Sequence, residues 1–233
     1  MSPMFTKKVG DDVQLLAGTV AAVLAQRLPS WVDRELVSFI AIQQALWVHE
    51  GDLVVEGSFQ PPHPAVLVTG DLVVDGSVFT GCPGGPPSTF LLVVGTVRCS
   101  SLLVEHEATT VIAGGLVARE AIIAHKVADT ATYVGRRLEA ACLMEGNGAD
   151  VRVEDAAVSV GVRVRDGGTP IWRVFSHDLL DLEVTPEELL RREQSGEDVG
   201  DLADLELTAI KQRLLTKQPL GLLGVGVRQS DEQ

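Results

Sequence analysis

Residues able to do chemistry are sparse in this chain. Five histidines are present, His49, His63, His106, His125 and His177, and none stands at the i, i+4 spacing that brings two imidazoles to one helix face. In EHE at 105–107, a strand puts Glu105 and Glu107 on one face and His106 on the other, a metal set only if a further group joins it. A solvated strand edge is the plainer reading. AHKVAD at 124–129 offers His125, Lys126 and Asp129 for acid–base work. No orienting partner or oxyanion donor accompanies them, so a polar corner is the expected role. GCPGGPP at 81–87 has the glycines of a phosphate loop without the Gly-Lys-Ser/Thr ending or the helix that would aim amides at an anion. Cys82, Cys99 and Cys142 lack metal or redox spacing. Cys82 falls in a Gly/Pro-rich loop and is expected to be exposed. The other two lie in alternating apolar contexts and are expected to be buried as small hydrophobes. No catalytic residue, metal ligand or cofactor is assigned.

The elements that would position these residues change character along the chain. Residues 11–28 place Val13, Leu16, Val20, Val23, Leu24 and Leu28 near the 3.6 period, with Asp11 or Asp12 to cap the start, and predict a helix. Residues 31–44 are read as a second one. From about 45 to 165 a different rhythm takes over. GDLVVEGSF at 51–59 returns as GDLVVDGSVF at 70–79, with looser copies after Gly95 and Gly114. Gly51 to Gly70 and Gly95 to Gly114 are both 19 residues, and the 25-residue step between them contains TGCPGGPPST, an insertion that leaves the repeat as a surface loop.

A fixed period with a repeated phrase marks a solenoid, in which a thin course buries its apolar face only against its neighbours. The predicted fold is therefore mainly β: a single-stranded β-helix core with α-helical N-terminal and C-terminal flanks, divided as 1–44, 45–176 and 177–233. A β-sandwich is the rival reading. A 19-residue step is not a multiple of six, which disfavours the hexapeptide β-helices of acyl and sugar-nucleotide transferases. In the last part, Thr185, Pro186 and Glu188 form a helix start, Ser195–Gly196 a break, and a second helix is expected near 201–215. The flanking helices are expected to cover the ends of the solenoid.

Composition narrows the partners. The chain of 233 residues is 45% hydrophobic but only 4% aromatic, so aliphatic side chains must fill the interior. Its net charge of −13 argues against nucleic acid and against an anionic membrane surface. Residues 178–206 hold eleven acids and two bases, so the charge is regional. There is no apolar run of about 20 residues to span a bilayer and no signal-like N-terminus, and a reduced cytoplasmic location is expected.

VLVTGDLVVDGSV and the run FLLVVGTVRCSSLLVEHEATTVIAGGLVAREAIIAHKVAD, within residues 46–145, resemble bacterial β-helix proteins associated with polymorphic toxin systems. A weaker resemblance links the stacked valine-rich courses to the polymer-forming bactofilins. The first resemblance implies a non-catalytic immunity protein that neutralises a toxin by direct binding, with a basic toxin domain as partner. Glu187, Glu188, Glu193, Asp198 and Asp201 are the partner-binding candidates. The alternatives are a self-assembling bactofilin-like protein, for which homo-oligomers are possible, and an enzyme with a site on the solenoid surface.

Overall fold

The repeated Gly-Asp-Leu phrase builds a corner. In the computed structural model, which describes residues 5–9, 11–26, 45–81, 89–105, 108–125, 131–146, 149–153, 157–164, 169–197, 199 and 203–223, Asp52 Oδ1 accepts the amide of Asp71 at 2.8 Å. One course later Asp71 Oδ1 accepts the amide of Thr96 at 2.7 Å. Thr96 Oγ1 in turn accepts the Gly115 amide at 3.4 Å. Each side chain thus ties its corner to the next, satisfying an amide that a tight turn leaves outside the ladder. Between courses the glycines touch: a Cβ on Gly70 would lie 2.2 Å from Asp52 Oδ1 and 2.5 Å from the carbonyl carbon of Gly51. Only a residue without a side chain fits there.

The corners join three parallel walls. The first stacks β2 (Ala45–His49), β4 (Ala65–Val68), β7 (Phe90–Val93), β10 (Thr109–Ile112), β12 (Ala131–Val134) and β14 (Asp150–Val153). The second stacks β3 (Leu53–Val55), β5 (Leu72–Val74), β8 (Val97–Cys99) and the first parts of β11 (Gly115–His125), β13 (Arg137–Gly146) and β15 (Ala157–Val164). The third stacks β6 (Val78–Thr80) and β9 (Leu102–Val104) with the second parts of β11, β13 and β15, a register shift between Ala118 and Ala121 making the bend. The result is a β-solenoid of about five turns. In the second wall the ladder Leu53–Leu72–Val97–Leu116–Leu138–Val158 advances by 19, 25, 19, 22 and 20 residues. The interior is aliphatic, with Val66, Leu91, Leu72, Leu102, Ile122 and Leu143 fully buried.

Among the described residues the flanking helices lie on the sides of the solenoid, and at the first course it is a strand, not a helix, that covers an edge. Strand β1 (Thr6–Val9) pairs antiparallel with β2, and Val13 and Leu16 of α1 (Asp11–Leu24) pack over Leu67, Leu92 and Val111 on the outer side of the first wall. The expected helix over 31–44 lies outside the described residues. The C-terminal segment covers the outer side of the third wall, where Phe79, Leu103, Ile123 and Met144 meet Phe175, Leu189, Ile210 and Leu214. The reason is patterning: these wall strands are apolar on both faces, and an apolar outer face must be covered.

This C-terminal layer comprises β16 (Leu180–Leu182), α2 (Pro186–Gln194), β17 (Ala203–Leu205) and α3 (Leu207–Leu215). As expected, Thr185 caps α2, its Oγ1 accepting from the Glu188 amide at 3.3 Å with Pro186 in the first turn. The second helix starts later than the sequence predicts. Residues 203–205 instead pair antiparallel with β16, which buries Leu180, Ala203 and Leu205, and Glu206 caps α3 through the Thr208 amide. Pairing that buries three apolar side chains outweighs helix propensity worth a few tenths of a kcal/mol per residue.

Candidate functional site

The acidic C-terminal layer is tied to the solenoid by charged side chains. Toward the solenoid it presents bases: Lys211 Nζ lies 2.6 Å from Glu105 Oε2, and Lys217 pairs with Asp75. The amide of Leu220 reaches Glu120 Oε2 at 3.3 Å. Glu105 is therefore not the solvated edge that EHE suggested. Its side chain is 4% exposed beneath α3, with Oε1 buried and without a hydrogen-bond partner. His106 and Glu107 lie outside the described residues.

Within the layer, arginines neutralise part of the acid. Glu188 accepts from Arg191 Nε at 2.7 Å and from Arg192 Nε at 2.8 Å. These hydrogen bonds, Arg191 first, hold its carboxyl down at about 2. Glu193 pairs with Arg173, and Asp178 with Ser176 and Arg213. Of the sequence-chosen partner residues, Glu188 and Glu193 are thus engaged inside the chain, Glu187 is exposed at the start of α2, and Asp198 and Asp201 lie outside the described residues. Asp181 and Glu183, which precede Glu187 in the chain, are exposed as well, while Leu180 is buried.

Two other surfaces complete the picture. The outer side of the second wall has no helix packed on it among the described residues and bears Val54, Arg98 and Ser159 to solvent. At the first course, Trp47 stacks on His63 at 3.6 Å, and Phe5 and Phe59 are buried beside it, closing that end of the interior. Burial and the nearby Lys7 charge hold His63 below its ordinary value.

No known protein family, curated protein or solved structure matches this chain.

The remaining chemical candidates fare as follows. Cys99 and Cys142 are buried, as expected of small hydrophobes, and desolvation pushes both thiols up to about 12. A thiol so shifted is a poor nucleophile at neutral pH. Cys82 and the 82–88 loop lie outside the described residues, as does Asp129, and His125 is the last residue of β11. Among the described residues no three His, Cys, Asp or Glu side chains gather to hold a metal ion, and no helix is long and apolar enough to cross a membrane.

Proposed function

We propose that this chain is a non-catalytic protein-binding protein of the immunity type, which captures a basic partner domain on the outer surface of its acidic C-terminal layer. One observation carries the reading: the layer pairs Lys211 with the buried Glu105 and Lys217 with the exposed Asp75, both solenoid acids, and leaves Asp181, Glu183 and Glu187 facing solvent. A surface of one sign speeds capture of a partner of the other and discriminates among partners. The stacked walls supply a rigid base, so little ordering cost falls on binding. Glu188 and Glu193 support the surface through their arginine pairs, with Glu187 as the contact residue.

Filament formation is the less favoured reading. End-to-end stacking needs both ends of the solenoid open, and the first course carries β1 across β2 with Phe5, Trp47 and Phe59 filling the interior. The experiment is co-expression with the product of the adjacent gene, followed by pull-down and by growth of cells that express the neighbour alone. Binding and rescue by this chain are expected. Glu183→Lys with Glu187→Lys is expected to weaken capture at least about tenfold, mostly through a slower, salt-sensitive association. Unchanged affinity would confine this surface to covering the third wall, and a neighbour that neither binds nor kills would remove the immunity reading.

A further inference from the structure

The two ends of the solenoid interior are not alike. Along the second-wall ladder, Leu53, Leu72, Val97, Leu116 and Leu138 are each 3% exposed or less, and Val158, the last member, is 50% exposed. Val158 faces inward, because it stands in register on Leu138. Among the described residues the interior face of the second wall is therefore uncovered at Val158 in the last course, whereas Leu53 is buried at the first. No described strand pairs with the outer edge of β15, so that edge is a template for another strand.

The sequence of that edge restricts what can add to it. Residues 157–162, AVSVGV, carry no charge in a chain of net charge −13, so a second acidic molecule can approach there without opposing carboxylates. Arg163 extends the apolar ladder Val78–Leu102–Ile122–Leu143, and its Nε lies 3.6 Å from Glu145 Oε2. An inward charge at that corner penalises a further parallel course in register, which would bury it. Antiparallel pairing avoids the conflict. About a two-fold axis at Ser159, Val158 of one chain faces Val160 of the other, twice over, and both are inward-facing positions of the same ladder set. At the first course β1 occupies the edge of β2 but not that of β3, so the competing arrangement is a head-to-tail contact of β15 on β3, which would not close at two.

We infer that the β15 edge is a self-recognition surface, through which two copies of this chain join tail to tail in a closed two-fold dimer. The interface is isologous, so it ends at two and does not propagate. The dimer leaves the acidic C-terminal layers on the sides of both copies, and capture of a partner there neither requires nor prevents it.

The test is sedimentation of the full chain across about 1–100 µM, a range in which an interface of this kind is measurable. A species of twice the 24.8 kDa chain mass is expected at the upper end. Val158→Lys sets two like charges beside the axis and is expected to weaken dimerisation at least about thirtyfold. Val54→Lys, at the far end of the second wall, should leave it unchanged. Amide hydrogen exchange over 157–164 supplies a second readout that needs no variant: protection should rise with concentration. Protection that is high but independent of concentration means that the chain covers its own edge, and overturns the inference. So does a monomer throughout the range, a ladder of species beyond the dimer, or sensitivity to Val54→Lys in place of Val158→Lys.

Discussion

Replacing Gly70 with Ala tests the stacking of courses at its tightest point. Gly70 adopts an ordinary backbone conformation, so the cost of a methyl group there is purely one of space. The new Cβ would lie 2.2 Å from Asp52 Oδ1, 2.5 Å from Gly51 C and 2.6 Å from Asp52 N, against ordinary contacts of 3.4 Å or more. The carboxylate can swing aside, but the peptide cannot, because Gly70 N–H is bonded to Gly51 O at 3.0 Å. Moving Asp52 forfeits its bond to the Asp71 amide, about 1.5–3 kcal/mol for a charged acceptor. Opening the corner strains the stack of Leu53 on Leu72, about 1–3 kcal/mol for overpacking of this size. The expected loss is about 3–5 kcal/mol, read from the urea midpoint by far-UV circular dichroism. Two other glycines calibrate it. Gly51→Ala meets no atom within 4 Å but has φ +86°, so it should cost about 1–2 kcal/mol. Gly18→Ala lies in open space on α1 and should stabilise by up to about 1 kcal/mol. If Gly70→Ala costs no more than Gly51→Ala, close approach of the courses is not what the repeated glycine provides.

Three further outcomes are expected. Lys211→Met strands the buried Glu105 carboxylate and should cost about 3–5 kcal/mol in thermal unfolding, and adding Glu105→Gln should restore at least half of it. The Glu188 carboxyl, held at about 2 in the folded chain against an ordinary 4.5, stabilises the fold above about pH 4.5, and that contribution is lost as the pH falls toward 2. Its titration midpoint by carboxyl NMR should move back toward 4.5 when Arg191 and Arg192 are both changed to Gln. In a Cys82→Ser background, Cys99 and Cys142 should resist an aromatic disulfide reagent at pH 8 and react once the chain is unfolded, since burial holds both thiols at about 12.

The solenoid was legible because its cause is local and repeated. Gly-Asp-Leu at 51–53 and 70–72 fixes a corner whose geometry depends only on the course before it, so a period in the letters becomes a period in space. The α2 start at Thr185 and the burial of Cys99 and Cys142 follow in the same way from near neighbours. Tertiary structure alone decided where the flanks go. The apolar outer faces of the first and third walls draw α1 and the C-terminal layer onto the sides, and a one-dimensional pattern does not say which face of a wall lacks cover. The same long-range packing buries Glu105 against Lys211, 106 residues later, and commits Glu188 and Glu193 to arginines while Glu187 stays in solvent. Charge can be counted along a chain, but its direction is set by the surface on which the chain comes to rest.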